Sequence, residues 1–110
     1  MNSIEVIVFT KKTGKSPFYE WENKLDFKVR MIVANRLDRI RLGNFGDCKV
    51  IKGGGGIKEI RIDFGSGYRI YFGMHKSTIV ILLVAGDKKS QLRDIETAKQ
   101  YWIECKEELL

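Results

Sequence analysis

Arg61 and Arg69 stand on either side of a glycine-bearing turn in the segment from Ile57 to Phe72, where apolar and charged residues alternate. A loop of Phe64, Gly65 and Ser66, with Gly65 or Gly67 free to take positive φ, sets Asp63 opposite Gly67, Arg61 opposite Arg69 and Glu59 opposite Tyr71. Like charges facing each other on a sheet repel, so this pair persists where an anion sits between the arginines or where Glu59 and Asp63 neutralise them. A phosphate is the obvious anion, because a guanidinium fork engages two of its oxygens at once. The inference depends on register: one residue more or less in the loop would send the two arginines to opposite faces.

The elements that must position this pair are legible in the pattern. Ile60, Ile62, Tyr68, Ile70 and Phe72 form the apolar face of the hairpin. Ile4 to Phe9 reads as a first strand, and Ser16-Pro17 as a cap and first position of a short helix to Leu25. Asp26 caps a second helix with Val29, Ile32, Val33, Arg36, Leu37 and Ile40 on its inner stripe, ending near Gly43. Cys48 to Lys52 is a brief strand. The glycine run from Gly53 to Gly56 lacks the Gly-Lys-Ser/Thr ending of a phosphate-binding loop and reads as a flexible turn. Gly73 to Lys76 makes a turn, Thr78 to Ala85 is a fully apolar strand for the middle of a sheet, and Gln91 to Leu109 is a helix with Leu92, Ile95, Ala98, Trp102, Cys105 and Leu109 on one stripe. Trp21 and Trp102 fall on inner stripes and read as core. The expectation is an α+β domain spanning 1–110, with a two-helix hairpin on one face of a small antiparallel-rich sheet and a terminal helix over an edge or end.

Composition narrows the function classes. A hydrophobic fraction of 44% and a charged fraction of 31% describe a soluble globular chain, and the apolar run Ile79 to Ala85 is too short to span a bilayer. The start shows no signal-peptide pattern, so a cytoplasmic location is expected. The net charge of +6 is concentrated between Lys24 and Arg69, a run that includes Lys52 and Lys58 as candidates to hold a nucleic-acid backbone. Cys48 and Cys105 have no CxxC spacing and His75 is the one histidine, so no metal or other cofactor is expected.

The hairpin from Gly56 to Phe72, the strand end Leu82-Leu83 leading to Gly86-Asp87-Lys88-Lys89-Ser90-Gln91, and then Asp94-Ile95, Ala98 and Tyr101-Trp102 together carry a family resemblance. In these the chain resembles the RelE/ParE superfamily of toxins from bacterial toxin-antitoxin modules, most closely its HigB-like branch; Ala85 stands where that family usually has a first glycine. The resemblance implies a protein that cleaves mRNA, commonly on the ribosome, and is silenced by a cognate helix-turn-helix, HigA-like antitoxin. The ParE side implies instead a poison of DNA gyrase, and shared fold does not decide between them. A third reading is a non-enzymatic basic binding domain.

Metal-free RNA cleavage needs a proton acceptor for the 2′-hydroxyl, a cation for the phosphorane and an acid for the leaving 5′-oxygen. Arg69, matching the family's Tyr-Arg position, is the first candidate for the cation, with Arg61 second. Lys88 and Lys89 are candidate proton shuttles, and Tyr71 a candidate to stack on a base. Each has a competing account: Arg61 pairing with Glu59 or Asp63, the lysines as solvated helix-start residues, Tyr71 as packing. His75 lies in a turn far from the glycine hairpin.

Overall fold

The computed structural model describes residues 3–109. The chain runs β1 (Glu5–Val8), α1 (Pro17–Asn23), α2 (Phe27–Arg41), β2 (Cys48–Val50), β3 (Lys58–Ile62), β4 (Tyr68–His75), β5 (Ile79–Asp87), a 3-10 turn (Lys88–Ser90) and α3 (Gln91–Leu109). The strands form a five-stranded sheet in the order β1-β5-β4-β3-β2, antiparallel throughout except for the parallel pair of β1 with β5. This is the α+β architecture expected of the pattern.

Local chemistry sets the element ends. The Ser16 hydroxyl accepts from the Tyr19 N–H at 3.4 Å, ahead of Pro17 in the first turn of α1. The Asp26 carboxylate accepts from the Val29 N–H at 3.0 Å and caps α2, whose far end is closed by Gly43 with φ +91°. The hairpin register is the expected one: Arg61 faces Arg69 and Glu59 faces Tyr71. The turn between β4 and β5 falls later than the glycine at position 73 suggests. β4 continues to His75, and Lys76 and Ser77 make the turn with φ of 55° and 62°.

Gly73 is retained inside the strand because the Trp102 ring lies against it, where a Cβ would collide with the indole. That contact marks the largest departure from expectation. α3 does not lie over an edge; it covers the second face of the sheet, above β4 and β5. One core lies between the sheet and α1–α2, built on Phe18, Val33, Ile40, Ile60, Ile70, Phe72 and Leu82. The other lies under α3, built on Phe9, Ile57, Tyr71, Leu83, Ala98 and Trp102. The inner stripe of α3 includes Asp94, while Leu92, expected inside, is 84% exposed.

Candidate functional site

Strand alternation puts Glu59, Arg61, Arg69 and Tyr71 on the α3 face of the sheet. The helix begins only at Gln91, so it covers part of that row and leaves the rest open. Tyr71 and Glu59 lie beneath it and are fully buried. Arg61 and Arg69 lie beyond its start, at the hairpin end, and stay half-exposed.

There Arg61, Arg69 and Lys88 line one concavity of about 260 Å³, together with Asp47, Asp63, Ile62 and Gly67. Lys88 enters it from the 3-10 turn, with its aliphatic stem against Gly67, whose φ of +84° and missing Cβ admit the close approach. The Asp47 carboxylate accepts from Arg61 Nε at 3.1 Å and Nη2 at 2.9 Å, and this hydrogen bond, with the attendant charge, holds Arg61 protonated even more firmly than usual. The two side chains are 37% and 51% exposed, so the pair is a solvated one that an anion of higher charge can exchange into. Among the described residues Arg69 has no carboxylate partner, and its Nε is buried without a hydrogen bond.

Arg36 explains why Asp47 sits where it does. Its guanidinium, on the inner stripe of α2, donates to the Arg61 carbonyl at 2.7 Å, the Phe45 carbonyl at 3.2 Å and the Asp47 carbonyl at 3.3 Å. The Arg61 N–H donates back to the Asp47 carbonyl at 2.9 Å. Burial lowers the Arg36 pKa from its ordinary value, and the carbonyl cradle satisfies the donors so buried. Arg36 therefore positions the 45–47 loop beside β3 without entering the concavity.

Behind Arg69 lies a buried polar layer that the alternation alone presents as solvent-facing. Gln91 Nε2 donates to Glu59 Oε2 at 3.0 Å, and the Tyr71 hydroxyl lies beside Glu59 without a well-formed hydrogen bond. Burial, and then the charges of Glu59 and Asp94, push the Tyr71 phenol above its ordinary pKa.

The structure thus brings three of the expected cations together and separates the rest. Lys89 lies on the other side of the 3-10 turn, in a different cavity. Lys58 shares its strand face with Ile60 and Phe72, on the α2 side. Lys52 is exposed in the glycine loop after β2, away from the concavity. Tyr71, expected to stack on a base, has no exposed surface and packs under α3. His75 is at the opposite end of β4 from Arg69, paired with Ile79. Asp63, read from sequence only as a counter-charge, lines the concavity as an exposed carboxylate. Asp47 carried no sequence signal, because its approach to Arg61 depends on the Arg36 clamp. Among the described residues no group of His, Cys, Asp and Glu is arranged to hold a metal ion, and no helix is long and apolar enough to cross a membrane.

Residues 20–102, which contain the hairpin, the concavity and most of α3, match the family described as Phage derived protein Gp49-like (DUF891). The chain belongs to this family. Gp49-like proteins fall among the RelE/ParE-type toxins, in which a toxin has a partner antitoxin. A Haemophilus influenzae relative described as an uncharacterized protein is 42% identical over 83 residues, covering 74% of this chain and 82% of the relative. The Gp49-like match places the Arg61–Arg69 hairpin and the Asp87–Ser90 turn inside the region that defines the family.

Proposed function

We propose that this Gp49-like chain is the HigB-like toxin of a toxin-antitoxin module and cleaves mRNA in the cytoplasm, on the ribosome, under the control of a HigA-like helix-turn-helix antitoxin. The observation that carries the reading is the convergence of Arg61, Arg69 and Lys88 on one open concavity at the uncovered end of the sheet. Three cations around a space of about 260 Å³ suit a phosphodiester, whose charge grows as the phosphorane forms.

In the proposed reaction Arg69 binds the scissile phosphate through its free guanidinium edge, and Arg61 exchanges Asp47 for a phosphate oxygen. Asp63 takes the proton of the 2′-hydroxyl, whose oxygen attacks phosphorus. Lys88 gives a proton to the departing 5′-oxygen, leaving a 2′,3′-cyclic phosphate and a free 5′-hydroxyl. Electrostatic stabilisation by positioned cations supplies most of the rate, so the loss of Arg69 is the decisive perturbation.

Expression of wild type and Arg69→Ala in bacteria, followed by mapping of RNA 5′ ends, tests this. The wild type should generate new 5′-hydroxyl ends within coding sequences, and Arg69→Ala should lower their abundance by roughly 100-fold or more, the scale of removing one transition-state donor. Equal cleavage by both proteins would overturn the assignment of Arg69. Growth arrest with intact transcripts and inhibited supercoiling by purified gyrase would replace the reading with a ParE-like one. A salt-sensitive loss of RNA or antitoxin binding with no turnover to lose would leave a basic binding domain.

A further inference from the structure

A cavity of about 520 Å³, larger than the arginine concavity, is separate from it. It lies on the other side of the Asp87–Ser90 turn and is lined by Trp21, Ala85, Gly86, Asp87, Lys89, Arg93 and Asp94, with Ser90. Its volume falls within the roughly 300–1,000 Å³ of small-ligand sites. Consecutive residues divide the two spaces: Lys88 enters the first and Lys89 the second. A ligand long enough to occupy both would set an anion in the first beside a group that meets Trp21 and the polar side chains of the second.

Resting on the RNA-cleaving reading above, we infer that this cavity is a nucleobase subsite. It takes the base of a nucleotide next to the phosphate held by Arg69, with preference for bases that carry an exocyclic amine. Trp21 supplies the stacking surface. Its indole is only partly buried and is held edge-on to Tyr68 at 6.3 Å and against Phe18 at 5.7 Å, which fixes its plane before any ligand arrives. β5 supplies a strand edge. Its pairing with β1 ends at Val8 and Leu82, so Ala85 to Asp87 have no strand neighbour on that side.

Asp94 supplies the selectivity. The residue is 8% exposed and its side chain lines the cavity, receiving a hydrogen bond on Oδ2 from the Ser90 hydroxyl, while no other described residue donates to Oδ1. A carboxylate oxygen in that position accepts from the exocyclic amine of adenine, cytosine or guanine, whereas uracil offers only its N3–H, flanked by two carbonyls that the carboxylate repels. Lys89 and Arg93, both exposed on the rim, are placed for the following phosphate. The backbone N–H groups of the turn are not the anion site, since Lys89 and Ser90 donate theirs to Asp87 Oδ1 at 2.9 and 3.2 Å.

The test uses purified full-length protein and 2′-O-methyl oligonucleotides of six residues, which lack the attacking hydroxyl and report binding alone. Oligo-A should quench tryptophan emission and bind at least about tenfold tighter than oligo-U. Trp102 is buried between α3 and the sheet, so the quench should vanish in Trp21→Phe, which keeps an aromatic ring and most of the affinity. Trp21→Ala should weaken oligo-A about 5- to 100-fold, the worth of stacking one base. Arg93→Ala changes an exposed side chain and should weaken both oligonucleotides without altering the melting temperature.

Arg69-dependent binding with no change in tryptophan emission, no preference for A over U and wild-type affinity in Trp21→Ala and Arg93→Ala would overturn the base subsite and leave the toxin reading intact. Absence of any Arg69-dependent binding to either oligonucleotide would overturn both.

Discussion

Asp94 is a carboxylate buried at the start of α3, and its energetics follow from that. Burial raises its pKa above the ordinary carboxyl value, opposed by the Ser90 hydroxyl and the Arg93 charge. The close fit depends on Gly86, where a Cβ would run into both the Asp94 carboxylate and the Ser90 hydroxyl. Because the proton binds more tightly in the folded chain than in the unfolded one, the contribution of Asp94 favours the fold fully below the unfolded value near pH 4. It is withdrawn as pH rises through the higher native value. An amide keeps an acceptor for Ser90 and never ionises. Thermal melts should therefore show Asp94→Asn gaining on wild type between pH 4 and pH 7, with the smallest difference at the acid end. A difference independent of pH would mean that Asp94 is charged and well solvated in the fold. Helical spacing does put Asp94 on the stripe, four and eight residues before Ala98 and Trp102, and Leu92 well off it; what hides Asp94 in the sequence is its charge beside the apolar Leu92. At the strand end the missing side chain of Gly86 leaves the space that the Asp94 carboxylate fills.

α3 shows where local pattern stops and packing begins. Its limits, Gln91 to Leu109, are readable from the punctuation before it and the spacing of Ile95, Ala98, Trp102 and Cys105. Its location is not, because an alternating strand such as β4 looks half-exposed whether its polar row meets water or is roofed over. The hairpin register and the Arg61–Arg69 pairing were legible because they depend on a short turn. The roof depends on contacts between Gly73 and Trp102, far apart in the chain. A Gly73→Ala substitution tests how closely that roof is fitted. The new methyl group meets the indole ring itself, so either Trp102 shifts or the helix lifts, at a cost of about 1–3 kcal/mol in urea unfolding. Adding Trp102→Leu should recover part of that loss, making the pair less destabilised than the sum of the single variants. Strict additivity would place the strain elsewhere. The same roof takes Tyr71 out of contact with any ligand and leaves the hairpin end uncovered, which is how a packing event far from the arginines defines the extent of the site.

Across the molecule a net charge of +6 gives a general attraction for polyanions, whereas the concavity gives a local one, and the two are separable by salt. Each phosphate neutralised on a single strand contributes about −0.7 to the slope of log K against log salt. Arg61, Arg69 and Lys88 gathered on one phosphate thus account for about −0.7 of that slope, and the general surface charge for the rest. In the free protein Arg61 is shared with Asp47 across 2.9 Å, so part of the binding free energy of an RNA goes to separating that pair. Asp47→Asn removes the competing charge while the Arg36 hydrogen bonds to the 45–47 carbonyls still hold the loop. Affinity for a 2′-O-methyl oligonucleotide at low salt should rise by about three- to tenfold, the worth of a solvated ion pair of roughly 1 kcal/mol. The slope should become steeper rather than shallower, since a net positive charge has been added. An unchanged affinity together with an unchanged slope would show that Arg61 makes no contact with the RNA phosphate. The phosphate would then be held by Arg69 and Lys88 alone, and the facing arginines would be an ion-pair network of the fold instead of a two-armed clamp.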